Sequence, residues 1–453
     1  MPRDEHRLSF MDQTGLELMR ATGRDQLIQC VWVYEHPLDM DGLERFHHNV
    51  AASYGNRLIE RSRLPFGRPR WVRGDRSQVP IRVETRPRPR DELIEWADEL
   101  ACLPIDPENG PSWRLVVQPL ADGSTAVSMF GSHVIADGVG AIRLVMDATE
   151  GRRRDPGYLS HGARPALRGI VSDLCQAVRD IPETVRVLVN AAAFVNRGRR
   201  DIARAVTSEP VAESAPQPTV VVPAIAVFID GDDWDRRAKE LGGNSYSLLA
   251  ALTAKLGERM GRQRAADGAV TLIIAINVRE SADDTRAIAL TLAKASVDPA
   301  KVTADLSDLR ARVRTAREKA KSEPDPALEL LGLIPWLPAA GVKGIAELLF
   351  GYSEDVPVSC SNLGDLPPQL SRVDGTDAEY VFIRAVDANV TERDLERSRG
   401  QLVVVSGRIN GKVSISVEAY EVGAPNSKAR VRELAHATLA EFQLAGVIEE
   451  PWT

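Results

Sequence analysis

The chain has 453 residues, of which 43% are hydrophobic and 27% charged, and its formal net charge is −7. This is the composition of an ordinary soluble globular protein, and the negative charge argues against a nucleic-acid-binding protein. The length exceeds what one hydrophobic core usually supports, so we expect two lobes of similar size. The four cysteines are scattered without metal-ligand spacing, which indicates a reducing cytoplasm.

The first part of the chain alternates predicted strands and helices. Strands are predicted at 27–34, 57–63, 69–73 and 81–85, and helices at 41–54 and 91–101. A hairpin follows at 113–120 and 124–133, because Ala121-Asp122-Gly123 supplies its turn. The second hairpin strand ends at His133, and a helix with Asp137 as its N-cap is predicted to run to about Thr149.

The remainder suggests a helical connector and a second lobe. Residues 166–205 are mainly helical in pattern, and 207–218 have linker composition. Strands are then predicted at 219–229 and 270–278, a hairpin at 401–409 and 412–420, and helices at 232–241, 245–260, 306–321 and 427–444. We therefore divide the chain into an N-terminal lobe (1–165), a connector (166–218) and a C-terminal lobe (219–453), each lobe an α/β unit.

Two basic stretches, 57–76 and 197–204, have two explanations. We expect solvated strand and helix surface, and a phosphate-binding patch is the alternative.

The stretch Ser132-His133-Val134-Ile135-Ala136-Asp137-Gly138 is the most informative for chemistry. A histidine at a strand end is held rigidly, and neutral imidazole can accept a proton from an alcohol, amine or thiol. Gly138 would allow a close backbone approach or an unusual dihedral angle at the corner. From spacing alone, a capped helix that follows a histidine with ordinary hydrogen bonds is the favoured explanation, because short motifs match by chance.

This stretch resembles the His-His-x-x-x-Asp-Gly signature of the CoA-dependent acyltransferase superfamily. That group includes chloramphenicol acetyltransferase, peptide condensation domains and the wax ester synthase/diacylglycerol acyltransferase family, to which the resemblance is greatest. Further anchors of that family are matched in order along the chain: Ser9-Phe10-Met11-Asp12, Pro104-Ile105-Asp106, Pro111-Ser112-Trp113-Arg114-Leu115, Ile276-Asn277-Val278-Arg279 and Ser361-Asn362-Leu363-Gly364.

The resemblance implies an α/β (α+β) fold of two chloramphenicol-acetyltransferase-like lobes with mixed sheets and an active-site channel between them. His133 would be the general base, beside Gly138 of the same signature. Asp137 would be structural and would pair with Arg279 across the lobes. Supporting positions along the channel would be Ser361, Asn362 and Gly364, together with Ser132, which replaces the first histidine of the signature.

The implied function is transfer of an acyl group from a thioester to a hydroxyl or amine, in wax ester, triacylglycerol or natural-product ester synthesis. Acyl-CoA would be a co-substrate, with no metal and no tightly bound cofactor. One alternative is a condensation-type enzyme that takes its acyl group from a phosphopantetheinyl carrier protein. Another is a non-catalytic binding protein that retains the fold.

A largely apolar stretch at 327–351 bears on location. It carries three charged residues and two prolines, so we expect two short broken helices and no membrane-spanning helix. We favour ordinary core for this stretch. The alternatives are that it lines an acyl tunnel or that it enters a membrane surface through Leu333, Ile334, Trp336 and Leu337. We expect a cytoplasmic protein, with peripheral contact at the inner membrane face as the alternative.

Overall fold

The computed structural model describes residues 6–64, 67–74, 79–197, 217–281, 283–322, 337, 341–342 and 356–448. The helices are α1 (Phe10–Thr22), α2 (Met40–Ala51), α3 (Leu93–Ala101), α4 (Gly138–Thr149), α5 (Ala166–Arg197), α6 (Gly231–Glu240), α7 (Ser245–Arg259), α8 (Ser307–Ser322), α9 (Glu392–Arg397) and α10 (Lys428–Glu441).

The first sheet has five strands in the order β11-β1-β6-β5-β4, and β2 and β3 form a separate antiparallel pair. The central strands β1, β5 and β6 are antiparallel, whereas β4 runs parallel to β5. The strands of this five-stranded sheet and of the β2–β3 pair are β1 (Asp25–Tyr34), β2 (Arg57–Glu60), β3 (Arg70–Arg73), β4 (Arg82–Val83), β5 (Trp113–Pro119), β6 (Thr125–Ser132) and β11 (Tyr380–Ala388).

The second sheet has seven strands in the order β14-β7-β13-β12-β10-β8-β9. Strand β10 is parallel to both of its neighbours, and the other pairs are antiparallel. The strands are β7 (Ala224–Asp230), β8 (Val270–Asn277), β9 (Leu290–Val297), β10 (Val358–Asp365), β12 (Gln401–Ile409), β13 (Lys412–Tyr420) and β14 (Val447–Ile448). The expected architecture of two lobes with mixed sheets is confirmed.

The two halves of the chain are joined through β11. This strand comes late in the sequence, yet it pairs along its length with β1 and so completes the first sheet. It also lies against β12 and β13 of the second sheet. There the Ser416 hydroxyl of β13 donates to the Ile383 carbonyl at 3.0 Å. The division at 1–165, 166–218 and 219–453 stays a prediction. Strand β11 belongs to the C-terminal part of this division, but it pairs with β1 of the N-terminal part.

Several predicted elements lie outside the described residues. The linker composition at 207–218 falls almost wholly there, as do residues 198–204 of the second basic stretch and most of the apolar stretch 327–351. Within the described part of the chain, the structure contains no helix that combines the length and the apolar character needed to cross a membrane.

Candidate active site

His133 follows the last residue of β6, at the edge where β6 meets β1. Its backbone N–H donates to the Gln26 carbonyl at 2.7 Å, which continues the strand pairing by one residue and fixes the backbone at this point. Desolvation by burial lowers the pKa of His133, and the charge of Arg279 lowers it further, whereas the charges of Asp137 and Asp387 act in the opposite direction. The ring is therefore neutral near pH 7, and a neutral imidazole has one nitrogen that can accept a proton.

Asp137 caps α4 and binds the second lobe. Its side chain accepts the N–H of Gly140 at 2.8 Å, as expected of a helix N-cap. Arg279 Nη1 lies 2.8 Å from Oδ1 and 2.9 Å from Oδ2 of Asp137, and both side chains are buried. The N–H of Ala289 also donates to Oδ2, at 2.9 Å. Both carboxylate oxygens of Asp137 are therefore engaged by donors within the protein.

The loop before β9 is one segment of the second lobe that meets this site. The Asp137 N–H donates to the Ala287 carbonyl at 2.8 Å, and Arg279 Nη2 donates to the same carbonyl at 3.1 Å. From α1, Asp12 accepts the N–H of Ile288 at 2.8 Å while forming a capping box with Ser9. The Ser9–Asp12 anchor of the family resemblance therefore serves to hold this loop.

Arg57 is a supporting residue that the sequence reasoning missed. Its guanidinium donates to the Ile135 carbonyl, inside the signature, and to the Thr285 carbonyl at 2.7 Å. It is 1% exposed and lies 4.3 Å over the ring of Trp71. The expectation of solvated surface for 57–76 is wrong for Arg57 and for Arg70, which pairs with Asp173, because hydrogen bonds and aromatic contacts compensate burial of these cations.

Ser132 is bonded to a buried carboxylate. Its hydroxyl donates to Asp25 Oδ1 at 2.9 Å and also accepts, from the N–H of Val134, at 3.3 Å. Burial raises the pKa of Asp25 to about 7, against the opposing hydrogen bond from Ser132. Where the family signature has a histidine, this chain has a hydroxyl that ties the β6 end to the start of β1.

Gly138 is the first residue of α4, and its backbone has no left-handed dihedral angle. A Cβ there would meet Leu363 Cδ2 at 3.4 Å, an ordinary contact. The tighter approach is at Gly140, where a Cβ would lie 3.1 Å from Arg279 Nη2 and 3.3 Å from Asp137 Oδ1. The close approach expected at Gly138 therefore occurs two residues later.

Ser361, Asn362 and Gly364 all lie on β10 of the second sheet. The Asn362 carboxamide oxygen accepts the N–H of Gly364 at 2.8 Å, and Gly364 has a left-handed φ of 73°. This leaves the carboxamide NH₂ as the part of Asn362 that can meet a ligand. Through Leu363, this strand end lies against the first residue of α4.

Asp387 on β11 was not anticipated and lies across β1 from His133. Gln26 of β1 is paired with Asp387 on one side, and its carbonyl accepts from His133 on the other. The Gln26 side chain donates to Asp387 Oδ1 at 3.2 Å. Burial raises the pKa of Asp387, whereas Gln401, Gln26, Arg24 and His133 lower it. The available signal was a second charged residue, after Arg384, near the end of a mostly apolar strand, but only the fold reveals its neighbour.

The match to a known family covers the signature and its surroundings. Residues 34–224 match the model of the wax ester synthase/diacylglycerol acyltransferase catalytic domain. Two sequences from Mycobacterium tuberculosis strains (CDC 1551 / Oshkosh and H37Rv), both named "Putative diacyglycerol O-acyltransferase", are 22% identical over 338 residues. That alignment covers 65% of this chain and 66% of the relative, which is just under two thirds of its length.

Solved structures show the same fold. The wax ester synthase/diacylglycerol acyltransferase from Marinobacter aquaeolei VT8 is 15% identical, with a TM-score of 0.54 over 96% of this chain and 98% of that one. The first condensation domain of the CDA synthetase is 12% identical, with a TM-score of 0.56 over 99% of this chain and all of that one. The resemblance predicted from the motifs is confirmed, and residues 34–224 match an acyltransferase catalytic domain.

Proposed function

We propose, from the premise that this chain matches the wax ester synthase/diacylglycerol acyltransferase catalytic domain, that it is an acyltransferase with His133 as general base. The observation that carries the proposal is the state of His133. The imidazole has a lowered pKa, and its backbone is fixed by the hydrogen bond to Gln26 of β1. A neutral, oriented imidazole is what proton abstraction from an alcohol or amine requires.

The proposed reaction needs only proton transfer and electrostatic support. The free ring nitrogen of His133 takes the proton of the acceptor O–H or N–H as the acceptor oxygen or nitrogen bonds to the thioester carbonyl carbon. The tetrahedral intermediate then collapses, the C–S bond breaks, and the imidazolium returns its proton to the departing sulfur. The products are an ester or amide and a free thiol, and the base is regenerated.

Charged and polar neighbours would assist each stage. The carboxylates of Asp137 and Asp387 both favour the protonated imidazole, and so they would stabilise it while it holds the proton. The NH₂ group of Asn362 is our candidate donor to the developing oxyanion, because its carbonyl oxygen is already occupied by Gly364. Arg279 and Arg57 would keep the two lobes in register around the signature.

We infer that acyl-CoA is the donor and that a lipid alcohol is the acceptor, in wax ester or acylglycerol synthesis, because the matched family is of that kind. A cytoplasmic location accompanies this proposal. The experiment must distinguish an acyl-CoA donor from a carrier-protein thioester, since condensation domains share the fold.

The test is thiol release by the purified chain from a panel of acyl-CoAs, with long-chain alcohol, diacylglycerol and amine acceptors. Release that yields a matching ester or amide, and that disappears in His133→Ala, supports the proposal. His48→Ala is the matched control because His48 is exposed on α2, and it should keep full activity. Thiol release that persists in His133→Ala would contradict the assignment of His133 as general base. Acyl transfer only from a carrier-bound thioester would show that the donor is a carrier protein and not CoA.

A further inference from the structure

Helix α5 turns its polar side inward and its apolar side outward. Toward the protein body, Arg7 Nη1 donates to Gln176 at 2.6 Å and Ser62 donates to Asp173 at 2.5 Å. Arg70 pairs with Asp173, and Arg68 Nη1 lies 3.5 Å from Asp180. An ordinary surface helix has the opposite orientation, with its apolar stripe against the core.

The outward side carries eight large apolar residues that are 36% to 79% exposed: Leu167, Ile170, Val171, Leu174, Val178, Ile181, Val185 and Val189. At 3.6 residues per turn, these positions fall within an arc of about 100°. We call this set the α5 stripe. A contiguous exposed apolar strip of this kind marks a surface that is covered in function.

The length and shape of the stripe suit the plane of a membrane surface. From Leu167 to Val189 it extends about 33 Å at 1.5 Å per residue. None of the helices in the described ranges qualifies as a membrane span, α5 included. An amphipathic helix that does not span binds at the boundary between headgroups and acyl chains, with its apolar face buried there.

The charges beside the stripe are basic. Arg179 and Arg186 are exposed, and since they are seven residues apart they lie on one flank of the stripe. The acids whose side chains are described on α5, Asp173 and Asp180, are buried and paired with arginines of the body. The side of α5 that faces outward therefore offers apolar groups and cations, the combination that anionic lipid surfaces attract.

A cavity of about 400 Å³ lies at the start of α5. Among its lining residues, Glu108 is bonded to Arg61 and Arg20, and Glu60 accepts the N–H of Gly162. Arg63 and His161 also line it and have no ion-pair partner within the part of the chain that the structure describes.

We propose that α5 docks this protein on an anionic lipid surface, with the α5 stripe buried among the acyl chains and Arg179 and Arg186 at the headgroups. Anionic lipid is the favoured occupant because the exposed Arg179 and Arg186 beside the α5 stripe complement anionic headgroups. The site is separate from His133, and its test does not depend on enzymatic activity.

The test is flotation of the full chain with vesicles of phosphatidylcholine alone or mixed with phosphatidylglycerol. We expect binding to the mixed vesicles, weaker binding to phosphatidylcholine alone, and a loss in affinity of about tenfold or more in the double variant Val178→Gln, Ile181→Gln. Glutamine is a good helix former, and circular dichroism checks that the helix persists. The matched control is Val422→Gln, which changes a valine of similar exposure in the second lobe.

The arginines are tested with Arg179→Gln, Arg186→Gln, which should remove the preference for phosphatidylglycerol. Equal binding to both vesicle types by the unaltered chain would overturn the anionic assignment. Unchanged flotation of the valine–isoleucine variant would overturn the use of α5. Absence of vesicle binding together with a dimer in sedimentation velocity, dissociated by the same variant, would identify a second copy as the occupant and overturn the proposal.

Discussion

Arg279 of the second lobe holds both carboxylate oxygens of Asp137 in the first lobe, at 2.8 and 2.9 Å from Nη1, with both side chains buried. Such a pair is held in place by its additional hydrogen bonds, because two buried charges are stabilised only when their remaining groups are also satisfied. Here Gly140 and Ala289 donate to Asp137, and two loop carbonyls accept from Arg279. The signature aspartate thus joins the helix cap to the interlobe loop.

The substitution Asp137→Asn removes the charge of this side chain but keeps its ability to cap α4. Asparagine is an equally good N-cap, so α4 keeps its first turn, but Arg279 becomes a buried cation without a counter-charge. We expect the free energy of unfolding to fall by about 3–5 kcal/mol, measured by urea denaturation. Asp308→Asn, which removes an exposed ion pair with Arg312, should change it by less than about 1 kcal/mol. A wild-type denaturation midpoint in Asp137→Asn would show that the pair does not stabilise the fold.

Arg57→Met tests the second interlobe contact. Methionine fills much of the same volume beside Trp71, but the carbonyls of Ile135 and Thr285 lose their donor. Each buried group left without a partner costs about 1–3 kcal/mol, so for the two carbonyls we expect a destabilisation of roughly 2–6 kcal/mol. Arg63→Met, at an exposed position nearby, should stay within about 0.5 kcal/mol of wild type. Equal denaturation curves for the two variants would contradict the role of Arg57.

What could be read from the sequence is mostly local. The hairpin 401–409 and 412–420 has the predicted bounds, because Asn410-Gly411 determines the turn and strand alternation determines the rest. The start of α4 follows equally from the Asp137 cap. The resemblance to the acyltransferase signature then supplied Arg279, which no local pattern could place against Asp137.

What could not be read depends on contacts between distant segments. Nothing near Tyr380–Ala388 indicates that this strand completes the first sheet, because strand pairing is not encoded in the hydropathy of one strand. Asp387 could therefore not be placed opposite Gln26, 361 residues away. Arg57 was assigned to the surface for a related reason: burial of an arginine is inferred only when its acceptors are known, and here these are backbone carbonyls.

Asp25 predicts a pH dependence of stability. Burial raises its folded pKa from 3.8 to about 7, so between these values the unfolded chain ionises while the folded chain stays protonated. Below pH 3.8, Asp25 therefore does not affect the free energy of unfolding. As the pH rises from 3.8 toward about 7 the protein loses stability, and above about 7 the loss is constant. At about 1.36 kcal/mol per pKa unit, the full penalty is on the order of 4 kcal/mol.

Asp25→Asn should remove this penalty while still accepting the Ser132 hydroxyl. In acid, we expect the variant and the wild type to have nearly the same free energy of unfolding. As the pH rises to about 8, roughly one unit above the raised pKa of Asp25, the variant should become the more stable protein. Urea denaturation across this range measures the difference, and the exposed Asp365→Asn should show no such trend. A difference that does not grow with pH would mean that Asp25 is ionised in the folded protein.

Asp387→Asn predicts a change in His133 itself. The carboxylate of Asp387 raises the pKa of His133, and His133 lowers that of Asp387, so each charge favours the other. Asparagine keeps an oxygen that can accept from Gln26 and removes only the charge. We therefore expect the pKa of His133 to fall further below its ordinary value. NMR titration of the histidine ring, assigned with His133→Gln, measures this without any substrate.

In the same variant, the acidic limb of the plot of reaction rate against pH should move to lower pH. If His133 must be neutral to act, a lower pKa extends activity to lower pH, while the lost stabilisation of the imidazolium reduces the maximal rate. Removal of a purely structural contact would lower the rate and leave the His133 titration in place. Asp308→Asn, at a distant exposed position, controls for a general change in protein charge. An unchanged His133 titration in Asp387→Asn would mean that the carboxyl is already protonated when the ring titrates, and Asp387 would then have no electrostatic part in the reaction.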